Sequence, residues 1–152
     1  MQLRVMGVIA SAWVLSLTLL SPSAVLAAEQ DEREKLAKDI KELQIEEVKA
    51  LEICFQATQA SYEAETVTLD VLLMTSRALL KGELRTADND AQRLEAFQRA
   101  LKRTQNIERK VYSLFETSSK GGEAKEYYLA KSARLRAEVE LKKQQLKIAK
   151  KN

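Results

Sequence analysis

The chain has 152 residues, 31% of them charged, with a formal net charge of +3 and the two signs interspersed. Histidine is absent and Cys54 is the only cysteine, which excludes Ser-His and Cys-His catalysis, histidine-ligated metal or haem, and an intramolecular disulfide. No basic field points to nucleic acid and no carboxylate constellation nominates an active centre, so a non-enzymatic protein without a cofactor is expected.

The N-terminus carries an address. Arg4 precedes an apolar run over residues 5–20, and Pro22 then leads into the small residues around Val25, Ala27 and Ala28. That order makes residues 1–28 a cleavable signal peptide, with an uncleaved anchor as the competing reading because the run approaches the roughly 20 residues a spanning helix needs. Cleavage after Ala27 or Ala28 leaves residues 29–152 as an exported domain, periplasmic or extracellular. This part contains no proline and is rich in Ala, Leu, Glu, Lys, Arg and Gln, the strongest helix formers.

Four helices are predicted in chain order. The first spans residues 30–64, with Ile40, Val48, Leu51, Phe55 and Tyr62 at helical spacing and Leu36 and Leu43 beside them. Glu29, Asp31 and Glu32 suit the positive end of its dipole, and Cys54 reads as a buried small residue beside Phe55 or as a cross-link between chains. Thr66 and Thr68 break the pattern, and Thr68 can cap the second helix, residues 69–86. Its Leu69, Leu72, Leu73, Leu79, Leu80 and Leu84 make it the most apolar stretch of the mature part, expected at the centre of packing.

The break at Asp88, Asn89 and Asp90 follows, where Asn89 and Gln92 have the spacing of a capping box. The third helix, residues 90–118, carries Leu94, Phe97, Leu101, Ile107, Val111 and Leu114. Gly121 and Gly122 turn the chain into a fourth, residues 123–150, with Tyr128, Leu135, Val139 and Leu146 at helical spacing. Short connections force antiparallel neighbours. The expected fold is therefore all-α: a slim antiparallel four-helix bundle, or two stacked coiled-coil hairpins, with the Thr66 and Gly121 turns at one end and the Asp88 turn at the other.

The second and fourth helices match at an offset of 57 residues, pairing Leu72 with Leu129, Arg77 with Arg134, Glu83 with Glu140 and Leu84 with Leu141. The segment Tyr62-Glu63-Ala64-Glu65-Thr66-Val67-Thr68-Leu69-Asp70-Val71-Leu72, continued by Arg77 to Leu80, resembles the hairpin tip of TolC-like outer-membrane efflux proteins. Phe115, Gly121, Gly122, Tyr127, Tyr128 and residues 134–138 resemble the second such tip. Glu65 stands where the family's first tip has glycine, and no segment shows the alternation of a membrane barrel strand. The resemblance implies helical hairpins that meet a protein partner at their tips.

The candidate contact surface is accordingly Tyr62, Glu65, Thr68 and Asp70 with Gly121, Gly122, Tyr127 and Tyr128. Glu63, Glu65 and Asp70 read either as a solvated tip or as oxygen ligands for a hard cation, and Asp88 and Asp90 as helix caps. Lys142, Lys143, Lys147, Lys150 and Lys151 form a basic end, either solvated or in peripheral contact with an anionic envelope component. The function expected is protein–protein interaction in the cell envelope, with a partner or a second copy. The alternative is a small-ligand- or ion-binding helical bundle.

Overall fold

The structure is a computed structural model that describes the backbone of residues 22–117 and 123–151. The apolar run, Gly121 and Gly122 lie outside the described residues. Four helices and no strand are found among the residues described: α1 (Pro22–Glu63), α2 (Leu69–Thr86), α3 (Asp90–Thr117) and α4 (Glu123–Ala149). The chain divides into two units, residues 1–36 and 37–152. In the first, α1 starts at Pro22, where the fixed φ of proline suits a first helical position. Glu29, Asp31 and Glu32 thus stand beyond the first turn of α1 and not at its dipole end, contrary to expectation.

The helices of the second unit end by local chemistry. At the close of α1, the Glu65 amide donates to the Tyr62 carbonyl and the Thr66 amide to the Ser61 carbonyl. This pair of bonds is a Schellman motif, and it places Glu65 in the left-handed region with φ 57°. Thr68 occupies the N-cap of α2 in extended conformation, but its hydroxyl makes no capping hydrogen bond. At the start of α3 the N-cap half of the box forms, Asn89 Oδ1 accepting from the Gln92 amide at 2.9 Å, while Gln92 Oε1 reaches one residue further back and accepts from the Asp88 amide at 2.6 Å.

The core is built around α2. Leu69, Leu72, Leu73 and Leu79 pack with Phe55 and Tyr62 of α1, Ile107 and Val111 of α3, and Ala130 and Ala133 of α4. A β-carbon on Gly82 would lie 3.0 Å from Leu51 Cδ1 and 3.3 Å from Val48 Cγ2, so glycine there leaves room for these side chains of α1.

The ends of the unit are arranged as expected. Tyr62 and Glu63 meet Glu126 and Lys110 at one end. At the other, Lys41 Nζ donates to the Thr86 carbonyl and the Asp88 carboxylate, and Asp90 receives Gln144, Lys147 and Lys151.

Three burial expectations are corrected. On α3 the inward face is Ala96, Ala100, Thr104, Ile107 and Val111, while Leu114 is exposed and Leu94, Phe97 and Leu101 are half-buried. On α4 the inward face is Ala130, Ala133, Ala137 and Gln144, and all of Tyr128, Leu135, Val139 and Leu146 face solvent. On α1, Phe55 is buried but Cys54 is exposed, one residue and about 100° around the helix, and Ile40 and Leu43 are exposed as well.

Candidate functional site

The hairpin tip brings together only part of the expected contact surface. Tyr62 is 9% exposed and its hydroxyl donates to Glu126 Oε2 at 3.1 Å, so it serves to lock α1 to α4. Glu65, Thr68 and Asp70 are exposed. Tyr62, Glu65 and Thr68 share a depression with Val67, Val111, Leu114 and Glu126. Glu63 is ion-paired with Lys110, and hydrogen bonding from that ammonium holds its carboxyl below the usual carboxylate range. Glu63 is thus engaged by Lys110, and no group of three or more metal-ligating side chains stands together among the described residues.

The aromatic residues divide differently from the sequence reading. Tyr127 stacks on Phe115 at 5.7 Å and tilts against Tyr112 and Tyr128, each at 5.3 Å, with Lys131 Nζ 5.7 Å above its ring. Tyr112 and Phe115, not Tyr62, are the companions of Tyr127. A hydrogen bond with Glu116 pushes the Tyr112 hydroxyl above its ordinary pKa.

Most of the basic end is neutralised within the chain. Lys142 and Lys143 pair with Glu138 and Glu140 at 3.4 and 2.8 Å. Lys147 and Lys151 pair with Asp90, whose carboxyl is held far below the usual range by Lys151 first, then Lys147 and Gln144. Asp90 was expected as a cap. Asn89 takes that role, which frees the Asp90 side chain to tether the C-terminal turn of α4.

Two features escaped the sequence. The first is a buried carboxylate: Glu83 on α2 receives both terminal nitrogens of Arg103, at 3.1 and 2.7 Å, and Nε of Arg99 at 2.9 Å. The Nε of Arg103 itself is buried without a hydrogen-bond partner. Glutamate 83 and the arginines 16 and 20 residues later sit on different helices, so no local motif announces them.

The second is the outer face of α4. Tyr128, Leu135, Val139 and Leu146 are 64%, 45%, 49% and 56% exposed. With Ser132 and Lys142, both exposed, they follow a 4-3-4-3-4 spacing, the repeat of a coiled-coil seam. Four large apolar side chains in one open row are more than scattered surface residues supply. No described helix is long and apolar enough to cross a membrane. No protein-family model, curated protein or solved structure matches the chain.

Proposed function

We propose that the chain is an exported, non-enzymatic helical-hairpin protein that works by protein–protein contact in the cell envelope. One observation carries this reading: α4 meets its own bundle through Ala130, Ala133 and Ala137, with Tyr127 and Leu129 half-buried against the core, and turns its heptad-spaced Tyr128, Leu135, Val139 and Leu146 to solvent. The row has the spacing 7, 4, 7 and is symmetric about its midpoint. An antiparallel two-fold crossing of two α4 helices therefore sets Tyr128 against Leu146 and Leu135 against Val139, with Ser132 opposite Lys142. Such a self-complementary surface favours a second copy as the first partner. The left-handed Glu65, at the position where the resembled efflux-protein tip has glycine, supports the hairpin resemblance. Export rests on the order of residues 1–28.

Light scattering across concentration tests the contact. The full chain should self-associate without regard to reductant, and Leu135→Glu with Val139→Glu should return it to a monomer with unchanged helix content. A dimer that disappears on reduction would place the contact at Cys54 instead. A monomer at every concentration would remove the second copy as the partner.

A further inference from the structure

We propose that the groove between α2 and α4 is a binding site for a single-chain anionic amphiphile, an apolar tail with a carboxylate or phosphate head. The groove is open on one side and offers about 280 Å³, just under the roughly 300 Å³ at which ligand-sized pockets begin. Its apolar lining is Leu73 and Leu80 from α2, Ala100 from α3, and Ala133 and Ala137 from α4. Alanines on two facing helices leave a channel that the leucines of α2 wall but do not fill.

Its polar lining separates into floor and mouth. Thr104 is satisfied by the Ala100 and Leu101 carbonyls of its own helix. Ser76 is only 4% exposed, lines the groove, and has no hydrogen-bond partner among the described residues. A hydroxyl in the wall of the groove can donate to or accept from a polar atom brought by a ligand. Arg77 and Arg136 flank the opening from α2 and α4, both exposed and neither in an ion pair among the described residues. The one acid at the opening, Glu140, is engaged by Lys143 at 2.8 Å. An apolar slot edged by two uncompensated guanidiniums fits a tail within and an anionic head at the rim.

The groove opens beside the α4 row, whose depression shares Arg136 and Glu140 with it, and three probes that share one tail test the reading. Dodecanoate, dodecyl phosphate and dodecanol are titrated into the full chain by calorimetry below their micelle concentrations. The two anions should bind saturably at one site per chain and more tightly than the alcohol. Arg77→Gln with Arg136→Gln should weaken both anions about tenfold and leave the alcohol unchanged, with the helix content of the parent. A Ser76→Leu chain that keeps its helix content should lose all three. Equal affinity for the three probes, or anion affinity unaltered in the double arginine variant, would overturn the proposal. So would loss of anion binding as the chain self-associates, since a second copy would then be filling the groove. A tighter grip on the phosphate than on the carboxylate would name the phosphate monoester as the head recognised.

Discussion

Helices α2 and α4 align at an offset of 57 residues, yet the fold uses them in opposite ways. In α2 the large side chains Leu69, Leu72, Leu73 and Leu79 are buried. In α4 the buried positions are Ala130, Ala133, Ala137 and Gln144, and the large side chains Tyr128, Leu135, Val139 and Leu146 face outward. The aligned acids show the same inversion. Glu83 is clamped in the interior by Arg99 and Arg103, while Glu140 lies exposed beside Lys143. Arg77 is exposed and unpaired among the described residues, whereas Arg134 bridges Glu108 of α3 and Glu138 at 2.9 and 2.8 Å. A repeated pattern of residue types therefore specifies a repeated helix, and position in the bundle decides which face of it works.

The largest expected effect lies at the aligned acids. Glu83→Ala leaves the Arg103 guanidinium buried and uncompensated and should cost about 3–5 kcal/mol in urea denaturation. Glu140→Ala, at a solvated pair, should change stability by less than about 0.5 kcal/mol. Equal losses would break the comparison. The double change Glu83→Met with Arg103→Met sharpens it, because an apolar pair of similar volume should recover most of what the single change loses.

The leucines come next. Leu72→Ala should cost about 3 kcal/mol by opening a cavity at the centre of the core. Leu135→Ala should leave folding stability nearly unchanged and act only on association. A Leu135 variant that melts as early as the Leu72 variant would mean that the outer row is held by the chain's own bundle.

A smaller effect, of opposite sign, is expected at the α1–α2 turn. Glu65 holds φ 57°, a conformation that costs a side-chain-bearing residue roughly 1 kcal/mol relative to glycine. Glu65→Gly should therefore raise the melting temperature by a few degrees, and Glu65→Val should lower it.

The smallest effect is the pH response of the α4 tether. The Asp90 carboxyl titrates lower in the folded chain than in the unfolded one, because it is bonded to Lys151, Lys147 and Gln144. Its contribution is therefore present above the unfolded carboxylate pKa, about 3.9, and is lost as pH falls from there through the lower folded value. Asp90→Asn should remove that part of the acid limb in melting curves taken between pH 7 and pH 2. An acid limb identical to the parent's would show that the tether does not couple to folding.

How much was legible follows from what each residue says locally. The Asn89–Gln92 box, the breaks near Thr66 and Asp88, and the runs of strong helix formers all act within a few residues, so the ends of α2 and the start of α3 fall where the pattern put them. The tip was legible only in part. Glu65, Thr68 and Asp70 are exposed as a contact surface requires, but Tyr62 is occupied by Glu126, and Tyr127 packs with Tyr112 and Phe115.

By itself, the sequence determined that the described residues make four antiparallel helices with little regular alternative: the chain has strong helix formers throughout and no proline after Pro22. Tertiary structure alone decided which faces meet. A periodicity count weights large apolar residues and overlooks alanine, yet Ala96, Ala100, Ala130, Ala133 and Ala137 let α3 and α4 approach closely and so claim the interface. Once those small faces are joined, helical geometry turns Tyr128, Leu135, Val139 and Leu146 outward. The same constraint brings Glu83 beneath two arginines of another helix, a pairing that no stretch of neighbouring residues encodes.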